Sequence, residues 1–203
     1  MSCFFSLDTL AEGHAAHIGE PAWWLHRAQQ AGQIVPQSWV IPASFLDQAL
    51  HQLVAREPLF ADWPELLWQQ DRTAGYPLQQ MAKRLQQPLF NLPLNFPWED
   101  LLAEIKAPIV RLFPSLWLGD GVATLPWGQM LATPVCWAEP DALEAALKLV
   151  WLSALDAKSL TFWRSWRSAQ ADAEVHYPAR INLAVVVQVV EAAAFSGSLT
   201  IRD

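Results

Sequence analysis

The chain has 203 residues, 53% of them hydrophobic and 16% charged, with a formal net charge of −7. That length and apolar content suit one compact domain with a large core, and with no Lys/Arg cluster the sequence argues against a nucleic-acid partner, which needs a concentrated basic face. No apolar run approaches the roughly 20 residues of a membrane span, no basic segment precedes an apolar one at the N-terminus, and the isolated Cys3 and Cys136 fit reduced thiols in a cytoplasmic protein.

Residues 14–31, "HAAHIGEPAWWLHRAQQA", predict a helix that begins near Pro21 or slightly before it and stops at Gly32. "IVPQSWVIP" has the alternation and β-branched content of a strand, limited by its prolines. "SFLDQALHQLVAREP" predicts a helix with Ser44 as N-cap, Asp47 three residues on, and Phe45, Leu46, Ala49, Leu50 and Leu53 on one apolar face. Two short helices follow at 64–71 and 77–87, then the proline-punctuated loop or extended chain "QPLFNLPLNFP". "PWEDLLAEIKAP" predicts a helix with Pro97 near its first turn and Pro108 past its end.

"PIVRLFPSLW" reads as a strand broken at Pro114. Residues 115–138 read as a long loop or a short hairpin, with Gly128-Gln129 as a turn. "EPDALEAALKLVWLSAL" is the best-signposted helix: Asp141 is the expected cap, Glu144 follows three residues later, and Leu143, Ala146, Leu147 and Val150 share a face. "DAKSLTFWRSWRSA" predicts its helical partner. "ARINLAVVVQVVEAA" is almost continuously apolar, as a buried central strand would be, and "SGSLTIRD" predicts a final strand. The elements together predict a single α/β domain over 1–203, of mixed α+β type, with several helices around a small mixed sheet.

Four segments, in order, resemble the N-terminal nucleotide-binding domain shared by pyruvate phosphate dikinase and phosphoenolpyruvate synthase. "GHAAHIGE" and "IVPQSWVIP" are similar to the family's Gly-Lys-small-small-x-Leu-Gly and Val-Pro-x-Gly-Phe-x-Val. "IVRLFPSLWLGDG" with "LPWGQ" resembles Val-Arg-Ser-Ser-Ala, an acidic pair and Phe-Ala-Gly-Gln. "WLSALDAKSLTFWRSWR" looks like the family's helix pair, and "LAVVVQVVEAAAFSGSLTIRD" like its Val-x-Val-Gln strand and Ser-Gly-Val turn. The resemblance covers nearly the whole chain and implies the first part of an ATP-grasp-like fold, in degenerate form.

Its departures bear on activity. His14 stands where the family has a phosphate-binding lysine, and it is shorter and mostly neutral at pH 7. Leu112-Phe113 replaces a Ser-Ser pair, and of the acidic pair only Asp120 is nearby. The family's magnesium carboxylates lie beyond the Ser-Gly strand, and this sequence ends at Asp203. Phosphoryl transfer depends on metal clamping and positioned cations, so the resemblance implies a pseudoenzyme with no catalytic residue. His14, Arg111 and Gln188 are the candidates for a residual site for ATP, another nucleotide or an anion. No metal site is expected: His14 and His17, at i and i+3, read as ordinary helix-start side chains. Arg111 has a structural alternative, an ion pair with an acidic residue, and Gln188 that of a satisfied polar group at a strand end or edge. Ser196 lacks the flanking pattern of a hydrolase nucleophile.

The expected function is therefore a non-catalytic binding or assembly module acting through a protein partner. Its alternatives are the ATP-binding part of a split phosphotransferase, or a sensor of a nucleotide or phosphorylated metabolite. Twelve tryptophans are many for one small core, and Trp117 and Trp127 are the expected partner anchors. The expected contact surface combines the 14–20 turn, the end of the 108–113 strand and the 184–190 strand, which a second half of the fold would otherwise cover.

Overall fold

The computed structural model describes residues 3–10, 15–60, 78–117, 127–162 and 182–191. They form a mixed α/β fold around one five-stranded sheet. The strands are β1 (Phe5–Ser6), β2 (Ser38–Ile41), β3 (Ile109–Trp117), β4 (Val135–Trp137) and β5 (Asn182–Val189), in spatial order β1-β2-β5-β3-β4, each pairing antiparallel. The near-continuous apolar run thus occupies the centre of the sheet, where both faces are covered and alternation has no use.

One face carries the main core. Trp39, Ile41, Val110, Leu112, Leu116, Val185 and Val187 point to it, and helices α3 (Ala43–Leu53), α4 (Leu78–Phe90), α5 (Trp98–Glu104) and α7 (Pro140–Ala154) close it. The α7 residues Leu143, Ala146, Leu147 and Val150 are all buried there, as their spacing predicts. The buried Glu57 is held by Arg84 through two bonds of 2.9 Å, which satisfies both carboxylate oxygens. The indole nitrogens of Trp98 and Trp151 have no hydrogen-bond partner among the described residues; their rings pack with Phe45 and Phe96, so apolar area holds them.

The other face is smaller. Val40, Phe113, Ala184 and Val186 meet Ile18 of α1 (Ala15–Ile18) and Ala22 of α2 (Glu20–Gln30). Gly19 separates the two helices at φ 81°, ψ 164°. Gly32 ends α2 at φ +78° as the sequence predicts: the Gln33 N–H reaches the Ala28 carbonyl and the Gly32 N–H that of Gln29, a Schellman closure.

Several sequence expectations are corrected. β3 is not broken at Pro114. The Leu112 N–H bonds the Pro134 carbonyl on the β4 side, so the nitrogen of Pro114, two residues on, faces the same side, where β4 has already ended. No ladder bond to a described strand is lost. Helix α4 runs through Pro88 to Phe90 instead of stopping at 87. Ser44 and Asp141 are not caps: the N-cap positions are Pro42 and Glu139, neither with a side-chain cap bond, and Asp141 lies exposed in the first turn of α7. A side-chain cap does occur at Asp156, whose carboxylate accepts the Ser159 N–H at 2.6 Å and starts the helical stretch 157–162. Gly128-Gln129 lies in a short helix, α6 (Trp127–Met130), and is not a simple turn. The predicted helix at 64–71 and the strand "SGSLTIRD" fall outside the described residues.

Candidate functional site

Residues chosen separately from the sequence meet on the smaller face. Arg111 of β3 and Gln188 of β5 are direct cross-strand partners, and Gln188 pairs in turn with Ser38 of β2. Opposed residues in an antiparallel pair share a face, so Ser38, Gln188, Arg111 and Val135 form one row across the sheet. The Gln188 side-chain nitrogen donates to the Ser38 hydroxyl at 3.1 Å, which satisfies part of the amide near the end of a central strand. Arg111 is exposed and makes no ion pair with any described residue, so its structural alternative has no support there.

The α1–α2 corner lies on the same face, positioned by one backbone contact. A Cβ on Gly19 would sit 2.3 Å from the carbonyl carbon and oxygen of Ser115 in β3. Only a glycine lets the corner approach that closely. Gly19 is also the N-cap of α2 and has no side chain to cap with. The buried Ser115 hydroxyl supplies the missing acceptor, taking the Ala22 N–H at 3.0 Å. Pro21 has no N–H, and the Trp23 N–H bonds the Gly19 carbonyl at 3.1 Å. The Ala22 and Trp23 N–H groups of the first turn are therefore both bonded within the protein.

Between this corner and α6 runs a cleft of about 400 Å³. Arg111, Gln188, Gln129 and Thr133 give it polar groups, and Pro21, Phe113, Pro114 and Leu116 give it apolar walls. Arg111 is the one cation among its described lining residues.

At the far side of Arg111 nothing among the described residues covers the face. β4 is a sheet edge of three residues, and Val135 and Trp137 point to this face beside Arg111 and Ile109. Val190, just past β5, adds to the patch, its N–H bonding the Ile109 carbonyl at 3.1 Å. Val135, Trp137 and Val190 are 53%, 59% and 40% exposed. Pro134 and Ala138 direct their backbone bonds to β3, so the backbone groups of Val135 and the N–H of Trp137 face outward.

Of the other sequence candidates, two are described. Trp117 is half-buried and pairs with Asn182, at the opposite end of β3 and roughly 27 Å from Ile109 along an extended strand. Trp127 opens α6. His14, Asp120 and Ser196 fall outside the described residues. His17 is exposed, and no group of His, Cys, Asp and Glu that could hold a metal occurs among the described residues. Burial pushes the Cys136 thiol above its ordinary pKa, which disfavours the nucleophilic thiolate. Among the described residues no helix is long and apolar enough to cross a membrane. Sequence reasoning missed Trp137; its signal was the short alternation "VCW" between Pro134 and Glu139. Compared with known proteins, the chain matches no protein-family model and no curated protein sequence.

Proposed function

We propose that the chain is a non-catalytic binding module, derived from a dikinase nucleotide-binding domain, that acts through a protein docked on the open end of the smaller sheet face. The observation that carries this reading is the pair of exposed apolar residues Val135 and Trp137 on the edge strand β4, which has no outer neighbour among the described residues, with exposed Val190 beyond Ile109 on the same face. Exposed edges with apolar side chains are sites of strand addition. A partner's extended segment would pair with the outward groups of β4 and lay alternate apolar side chains on Val135 and Trp137. Trp137 offers the largest area and one donor, the profile of an interface anchor. The convergence of Gly19, Arg111 and Gln188 on one face supports the dikinase ancestry, because these positions lie in three of the four segments that carry the resemblance.

Trp137→Ala is expected to reduce the recovery of the partner with the native protein by tenfold or more and to leave circular dichroism unchanged. Trp24→Ala is the matched control: Trp24 is comparably exposed, at 53% against 59% for Trp137, but sits on α2 with Arg27 over its ring. Equal partner recovery from both variants would overturn the assignment. The purified chain is further expected neither to hydrolyse ATP nor to exchange label between ATP, phosphate and pyruvate. Turnover above buffer that is lost in Arg111→Gln would show an enzyme instead.

A further inference from the structure

We infer that the cleft between α2 and α6 is a binding site for a small planar monocarboxylate, held by Arg111. The cleft adjoins the docking face, since Arg111 pairs with Val135, but it rests on other residues than Val135, Trp137 and Val190. The cleft's volume of about 400 Å³ is in the range of small-molecule sites. Its composition is that of such a site: a few polar groups converging over apolar walls. A guanidinium matches the two oxygens of a carboxylate in a planar, two-bond geometry. Arg111 is exposed into solvent and has no carboxylate among the described residues to occupy it. Beside it, Gln188 gives one amide N–H to Ser38 and keeps a second N–H that can donate to a carboxylate. Phe113, Pro114 and Pro21 line it with apolar groups that suit an aromatic body.

The same geometry disfavours a polyphosphate. A helix N-terminus cradles phosphate with free backbone N–H groups. Here Pro21 has none, Ala22 donates to Ser115 and Trp23 donates to Gly19. Glu20 adds a negative charge in that turn. One guanidinium balances the single charge of a carboxylate but falls short of the several charges of a nucleoside triphosphate.

The test is calorimetric titration of the whole chain with 2-naphthoate, with 2-naphthamide as its uncharged counterpart, and with ATP. Naphthoate is expected to bind with a dissociation constant below millimolar, at least tenfold tighter than the amide. Arg111→Gln is expected to weaken naphthoate at least tenfold while leaving the weak amide binding as it is. Gln129→Glu, a change at an exposed position on α6, is expected to weaken naphthoate alone through charge repulsion, and serves should Arg111→Gln fail to fold. No binding of naphthoate at millimolar concentration, or binding unaffected by both substitutions, would overturn the inference. ATP binding tighter than naphthoate and dependent on Arg111 would overturn it in favour of a nucleotide site.

Discussion

Gly19→Ala is expected to lower the stability of the fold by on the order of 3 kcal/mol or more, the sum of backbone strain and overpacking. The backbone there has φ 81° and ψ 164°, a region essentially reserved for glycine. The added Cβ would also lie 2.3 Å from main-chain atoms of Ser115, which cannot move without shifting the middle of β3. Relief by rotating a side chain is therefore closed off. Backing the corner away from β3 would break the Ala22–Ser115 bond and leave a buried N–H unpaired. A shifted midpoint in chemical denaturation checks the prediction. A midpoint equal to that of the unaltered chain would show that the corner does not rest on β3.

Leu147→Ala is expected to cost roughly 2–5 kcal/mol, the range for truncating a fully buried leucine. Leu147 has no exposed surface and sits in the middle of α7, within the same apolar cluster as Val110, Leu112 and Val185. The helix is pinned on both sides of it by Leu143 and Val150, so it cannot slide to fill the space. An exposed neighbour on the same helix, Leu149, is the control: Leu149→Ala should stay within about 0.5 kcal/mol. Equal effects at the two positions, read from denaturation midpoints, would show the face assignment to be wrong.

The apolar patterns that made α7 and β5 legible are local, and local patterns survive folding. The face of α7 follows from spacing alone, and a short, β-branched, nearly continuous apolar run suits a sheet centre. What the sequence hides is which way a backbone group points and what arrives from far away. Pro114 looks like a strand breaker because its missing N–H is assumed to belong to a ladder; here it faces past the end of β4. The cap of α2 comes from Ser115, 93 residues beyond the N–H it accepts, where no search within one helical turn finds it. Ser44 and Asp141 satisfy the local capping pattern and cap nothing. At the site, Arg111 and Gln188 were each legible as polar residues interrupting apolar strands, but their pairing is a matter of register. The exposed patch at Val135 and Trp137 depends on β4 being an edge, which only the strand order reveals.

Amide hydrogen exchange, measured on the chain alone and with a protein captured by it, tests the proposed docking face most directly. In the free chain the outward N–H groups of Val135 and Trp137 have no strand beside them among the described residues and should exchange within the dead time of the measurement. On complex formation they are expected to slow at least a hundredfold, together with the neighbouring Val190 segment, while α2 around Trp24 stays unchanged. Protection confined to α2 or α7, with Val135 and Trp137 exchanging as fast as before, would contradict it.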